Sequence, residues 1–576
     1  MASQNLTEND LNIIKTDWSE VSIPFEISIW VLIVAILELI INSIRKFKYF
    51  AIIPETCYLI ILGMIIGSIL EAVFDQGNLV EIINEDVFFL VLLPPIVFDA
   101  GYNMPRLAFL ENLGSILCFA IANTLFNAVF IGGSMYLVYE WGWCEEIFSQ
   151  INGLPMVLNI TVCLLFGSII SAVDPVAVIA VFDEIHVNAM LFICVFGESL
   201  LNDGVAVVLY QAFADLLTHS PESLDWSEVA FLIEEFLYVA FGGVIIGALI
   251  AILVSLVTKY WPQDNKSLSL FEPVVVYLFP YISYLLGEYL GMSAILAVVT
   301  CGYIMKPHVE ENITQESKHT VHALIHFTSH VGEVSIFIWL GLVTIQTDWS
   351  SYFNWSLCLW VLCFISIYRF IGIYVFGWLL NFGREDIMKF TWQDLLISSF
   401  GGLRGGIAFS LTQLSPIIED EIKQTLICIA IFIILFTSFI QGILVKPLVK
   451  GLGTKLEVPI QENLFTKFSQ LSAKNTLKCL QAINGIRSRV TDVSLLNDWC
   501  EVKFWPILRR NNEKMMSGSD RYGIIQLYLE SIKEVALEVV VDKTDLEVTD
   551  TCRTIERCST KASQKSLALS EIELSF

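Results

Sequence analysis

The 576-residue chain is 55% hydrophobic and only 16% charged, with a mean hydropathy of +0.67, which excludes an ordinary soluble domain and marks a polytopic membrane protein. A formal net charge of -26 excludes nucleic acid as a partner, because phosphates demand a basic surface. The 13 cysteines form no CxxC pair and mostly sit in apolar segments such as Leu191-Phe-Ile-Cys194, so they read as buried free thiols.

Apolar runs long enough to cross a hydrocarbon core, about 17 to 25 residues, lie near 25–43, 51–70, 83–100, 113–138, 157–182, 190–216, 228–257, 270–287, 290–306, 322–346, 355–381, 392–414 and 422–446. The expectation is an all-α polytopic fold of about 13 transmembrane helices, with the break between the eighth and ninth resting on Gly287-Glu288 and Gly291. Three parts follow: an extracellular N-terminus over 1–24, a transmembrane domain over 25–446 and a cytosolic tail over 447–576. Basic residues set the orientation. With the N-terminus outside, the inner loops collect Arg45, Lys46, Lys48, Arg106, Lys259, Lys266, Lys306, Lys318, Arg384 and Lys389, while the outer loops around 71–82, 139–155, 217–227 and 347–354 contain no Lys or Arg. The sequons at Asn5 and Asn354 then fall outside as glycosylation candidates, whereas Asn312 falls inside. Met1 to Thr7 lacks the basic region and apolar core of a cleavable signal peptide. In the tail, 464–486 and 524–541 show helical apolar spacing, fit for the inner leaflet, a partner's groove or each other, and the Ser- and Thr-rich stretch after 551 suits phosphorylation.

Within these spans a few polar groups demand a reason, since an ionisable side chain at membrane depth costs at least about 2.5 to 3.5 kcal/mol on insertion scales. In the third span Leu92-Leu-Pro-Pro95 predicts a bend, with Asp99 beyond it as a cap or a group on an ion path. In the fifth, Asp174-Pro175 predicts an interrupted helix, tolerated only against a cavity or inside protein. The sixth carries Phe196-Gly-Glu-Ser-Leu-Leu-Asn-Asp-Gly204. Glu198 and Asn202 share one face there, Ser199 and Asp203 the next, so one helix offers oxygen ligands in two directions. A carboxylate beside an amide suits a hard monovalent cation or a proton, and the lack of Cys and His argues against a transition metal in this stretch.

Arg369 lies too near the middle of the eleventh span to snorkel and needs an internal anion. Glu198 is the first candidate, and Glu333 and Glu288 are further buried-looking carboxylates that could pack or line an access funnel. In the twelfth span, Phe400-Gly-Gly-Leu-Arg-Gly-Gly406 surrounds Arg404 with four glycines and predicts a second break. The fifth and twelfth spans cross in opposite senses, which is what an inverted-repeat transporter with discontinuous helices requires.

Four motifs carry a resemblance: Phe89-Leu-Val-Leu-Leu-Pro-Pro-Ile-Val-Phe-Asp-Ala-Gly101, Ala172 to Val187, Phe196 to Asp203, and Phe400 to Ser410. Together they resemble the sodium/proton exchangers of the animal plasma-membrane type, within the cation/proton antiporter superfamily. The resemblance implies an antiporter fold with crossed broken helices, a six-helix ion-translocating core and a dimerisation domain, working as a homodimer by an elevator-like movement. It also implies Asp203 as the residue that binds sodium and carries the proton, Asn202 and Asp174 completing the site, Glu198 paired with Arg369, and Arg404 in the crossed region. Relatives bind a calcineurin-B-like calcium protein on a juxtamembrane helix, which 464–505 resembles loosely.

The expected function is electroneutral exchange of external Na+ (or Li+) for internal H+ at the plasma membrane, controlling intracellular pH, sodium and volume, with no enzymatic activity, no cofactor and lipid as the surrounding partner. An organellar K+(Na+)/H+ exchanger would use the same residues. A non-transporting scaffold would have no use for Asp203, Asn202 and Arg369 at membrane depth.

Overall fold

The computed structural model describes residues 18–46, 53–73, 87–143, 158–174, 178–179, 182, 187–219, 226–262, 270–382, 389–415, 420–452 and 505–508. The expectations at Asn5, at Pro175, at the amphipathic stretches and calcineurin-B-like segment of the tail, and after 551 lie outside them, apart from a single helical turn at Trp505–Leu508. The chain divides into two units, and the second, Pro459–Ser488 with Asn511–Phe576, also lies outside the described residues.

Over its described residues, every expected span falls on one helix or on consecutive helical pieces. The series opens with α1 (Trp18–Arg45) and α2 (Glu55–Val73), followed by α3 (Leu93–Asn103), which is entered through a π-helical turn at Phe88–Leu92. A continuous helix then runs as α4 (Arg106–Leu117), a π turn at Cys118–Asn123, and α5 (Thr124–Glu140). Next come α6 (Ile160–Ser171), α7 (Ala189–His219), α8 (Trp226–Tyr260), α9 (Glu272–Tyr289), α10 (Ala294–Asn312), α11 (Gln315–Gln346) and α12 (Trp355–Asn381). The last stretch comprises α13 (Trp392–Phe400), α14 (Gly406–Leu414), α15 (Asp420–Phe436), a π turn at Thr437–Gln441 and α16 (Gly442–Leu452). Among the described residues, eight helices are long and apolar enough to cross a membrane by length and composition. The expected break between the eighth and ninth spans is there: α9 ends at Tyr289, Gly291 takes φ +67°, and the Ser293 side chain caps α10.

The exterior is apolar, as a lipid-facing surface must be. Leu32, Leu39, Phe231, Phe241, Leu249, Leu359 and Trp378 are all exposed, on α1, α8 and α12. Inside, one apolar cluster gathers α2, α3, α10 and α11, and another gathers α5, α6, α12 and α15. Helix α7 belongs to both, giving Ile193, Cys194 and Leu200 to the first and Val205, Leu209 and Phe213 to the second. The polar stretch around Asn202 and Asp203 therefore sits on a helix shared by the two cores. At the end of the described chain, the carbonyls of Ile507 and Leu508 accept hydrogen bonds from Lys259 Nζ (2.6 Å) and Asn312 Nδ2 (3.0 Å), so this tail segment meets the C-terminal ends of α8 and α10.

Candidate functional site: two unwound segments crossing beside Asp203

Helix α6 stops at Ser171, and Ala172 to Asp174 continue in extended form. Helix α13 stops at Phe400, and the chain unwinds through Gly401–Gly405 before α14 begins. The two unwound segments meet in an antiparallel bridge between Asp174 and Leu403, with Asp174 N–H donating to the Leu403 carbonyl at 2.8 Å. A backbone pair freed by the breaks is thus satisfied across the two segments, as irregular structure at membrane depth requires. The antiparallel sense is what two broken spans of opposite orientation produce.

Arg404 is 1% exposed and explains itself through this geometry. Its Nη1 donates to the carbonyls of Ser171 and Ala172, both at 2.9 Å, and so caps the negative end of the α6 dipole. The Arg404 backbone N–H is received by Thr437 Oγ1 at 3.2 Å, on the last π turn. The glycines serve close approach. A methyl on Gly402 would stand 2.5 Å from Arg369 Nε, and one on Gly405 would stand 2.6 Å from Asp174 Cγ. Gly405→Ala therefore carries roughly 1–3 kcal/mol of overpacking strain that Asp174 must absorb. The expected result is an exchange rate lowered by about tenfold, the equivalent of 1.4 kcal/mol, with little loss of melting temperature. Gly401→Ala, where the nearest atom lies 3.2 Å from the added methyl, is the milder control.

On α7, Asn202 is fully buried and Asp203 is 8% exposed. Asn202 Nδ2 donates to the Ser171 carbonyl at 3.3 Å, tying α7 to the end of α6, while its Oδ1 is buried with no hydrogen-bond donor. The charged neighbours of Asp203 are Asp174 and Arg404. Asp203, Asp174 and Glu333 line one cavity of about 410 Å3, which continues past Glu55 and Asp99 to His326 and His330. The His326 side chain is 78% exposed, so the cavity reaches the surface there. Asp99 accepts a hydrogen bond from Asn103 (2.7 Å) and lies 3.7 Å from His326.

Glu198 and Arg369 form an ion pair at 2.7 Å, both side chains almost wholly buried. Ser398 supports both partners: its Oγ lies 3.5 Å from Glu198 Oε2, and its carbonyl accepts from Arg369 Nη2 at 3.3 Å. Glu198 faces this pair and Asp203 faces the cavity, so the two directions expected from the spacing on α7 are both used. Ser199 and Asn202 are buried but do not line the cavity. Glu288, expected as a buried funnel residue, is exposed at the end of α9 and stands outside the cavity, since α9 turns there into α10 at the molecule's edge. Asn354 is 7% exposed and caps α12 through Oδ1 (3.0 Å to Leu357 N), so a glycan on its Nδ2 would require the buried side chain to open to solvent. Ser398, Thr437, Glu55, His326 and His330 carry no signal in their residue type. Only the histidine spacing 319, 322, 326, 330 along one face of α11 could have drawn attention to the last two.

Antiparallel unwound segments crossing beside a buried acid are the architecture of an inverted-repeat transporter fold. The chain belongs to the sodium/hydrogen exchanger transmembrane family, whose model matches residues 31–451. It is similar to sodium/hydrogen exchanger 2 of Oryctolagus cuniculus, at 38% identity over 78% of this chain and 52% of that one. Sodium/hydrogen exchanger 3 of Mus musculus matches at 35% identity, covering 83% of this chain and 55% of that one. The chain thus spans about half the length of the curated relatives it matches. The structure of the sodium proton antiporter MjNhaP1 from Methanocaldococcus jannaschii at pH 8 shares the fold, with a TM-score of 0.52 at 18% identity over 74% of this chain and all of that one.

Proposed function

We propose that this chain is an electroneutral Na+/H+ antiporter working by alternating access, with Asp203 as the sole carrier. The observation that carries the reading is the buried Asp203 carboxylate on the wall of a cavity that reaches the surface, beside the crossed segments, with the Oδ1 of the adjacent Asn202 buried and donor-free. Asp203 loaded with sodium and Asp203 loaded with a proton are both neutral, whereas the empty carboxylate is a charge that is costly to carry through apolar surroundings. Only loaded forms cross, and one-for-one exchange follows. Asn202 cannot titrate, so it serves as an oxygen ligand and as the tether to α6. Arg404 and the Glu198–Arg369 pair hold the frame within which Asp203 is presented.

The basic residues of the loops support a cytosolic side for Arg45, Arg106 and Lys318. The cavity mouth at Glu55, Asp99 and His326 lies toward those same helix ends, which supports reading this as an inward-open form. With an inward sodium gradient the direction is Na+ in and H+ out, serving intracellular pH, sodium and volume at the plasma membrane. The resemblance to animal exchangers supports a homodimer and a calcineurin-B-like partner on 464–505. The expected result in proteoliposomes of the full chain is Na+- and Li+-driven proton movement, unaffected by a clamped membrane potential, with K+ inactive. Uptake driven equally by K+ would favour the organellar exchanger reading, and a current that follows the sodium gradient would refute electroneutrality.

A further inference from the structure

Away from Asp203, three helices bring a second set of ligating groups together. Glu38 of α1, Glu55 in the first turn of α2 and His330 of α11 each offer one ligand atom, and the three atoms all lie within 4.8 Å of one another. His330 Nε2 stands 3.4 Å from Glu38 Oε2, an atom that is buried and has no hydrogen-bond donor. Glu55 holds Arg45 through Oε2 at 2.9 Å. The side chains are 27–38% exposed, so an ion has a way in, and Glu55 and His330 also line the mouth of the transport cavity.

We propose that Glu38, Glu55 and His330 form a binding site for a divalent transition metal of the zinc class at the mouth of this cavity. One imidazole nitrogen and two carboxylates are a ligand set that zinc, cobalt and nickel accept in tetrahedral or open geometry, with water in the remaining position. Sodium, magnesium and calcium prefer all-oxygen sites, so the imidazole separates this site from the one that holds the transported ion. Bonds of about 2.0 to 2.2 Å bring the donors closer together than they stand here. Trp30 Nε1 donates to Ser335 Oγ at 2.8 Å, which ties together the two helices that carry Glu38 and His330. The metal cancels the charge of two carboxylates that otherwise draw a cation to the mouth, and it links α1 to the walls of the cavity. Zinc binding therefore slows exchange.

The test uses the purified full chain with Co2+ and Zn2+ alone as probes. The expected result is one Co2+ per chain, seen by its visible absorption and displaced by Zn2+. Affinity should be weakened about tenfold or more in both Glu38→Gln and His330→Asn, since even groups one step removed from a metal are worth that much. In proteoliposomes, Zn2+ on both faces should slow exchange by the native chain, while Glu38→Gln, whose residue lies off the cavity lining, exchanges at the native rate and resists Zn2+. Absence of bound Co2+, or equal binding in the native chain and both variants, overturns the proposal. If Glu38→Gln fails to fold, His330→Asn decides the binding result alone. The binding measurement is independent of the transport reading, and only the inhibition measurement rests on it.

Discussion

Replacing Arg369 by Met should destabilise the protein by about 3–5 kcal/mol, the usual consequence of stranding one member of a buried ion pair. Glu198 is 1% exposed, its ion-pair partner is the Arg369 guanidinium at 2.7 Å, and Ser398 adds a 3.5 Å contact. Without Arg369 the carboxylate must either take up a proton or stay as an unmatched charge in an apolar interior, and the Ser398 carbonyl loses its donor as well. The measurement is the melting temperature of the purified variant in detergent. Adding Glu198→Gln to Arg369→Met should restore much of the loss, because exchanging a whole buried pair for neutral groups costs far less than breaking it. A double variant no more stable than Arg369→Met alone would show that the arginine acts through packing instead.

What could be read from the chain divides along a physical line. Breaks are local events, so Asp174-Pro175 and the glycines around Arg404 announced the two unwound segments, and their opposite sense followed from counting spans. Glu198 and Asp203 diverge because five residue steps of about 100° leave them about 140° apart around the helix, and the structure keeps them in separate surroundings. Partners contributed by backbone were invisible: Arg404 is held by the carbonyls of Ser171 and Ala172, which any residue types would supply. Ser398 and Thr437 were hidden for a related reason, since hydroxyls in apolar helices commonly bond to their own preceding turn. Glu288 misled because a carboxylate in an apolar run looks the same whether its helix turns it toward the bundle or toward the exterior. Which helix faces meet is a tertiary fact, and the weak amphipathicity of membrane helices leaves little trace of it.

The central claim is that Asp203 alone carries both ions. Asp203→Asn preserves the shape of the side chain and removes its charge, and a neutral amide is easier to bury than a carboxylate, so the variant should fold and keep its thermal stability. It can bind neither a proton nor, with a formal charge to balance, a sodium ion. The carrier would then be locked in a neutral but empty form that exchanges nothing. Radioactive sodium uptake into proteoliposomes, driven by an outward proton gradient and compared between native and Asp203→Asn protein at equal reconstituted amounts, tests this most directly. Uptake in the variant should fall to that of protein-free vesicles. Proton-driven sodium uptake persisting in a correctly folded Asp203→Asn variant would contradict the account.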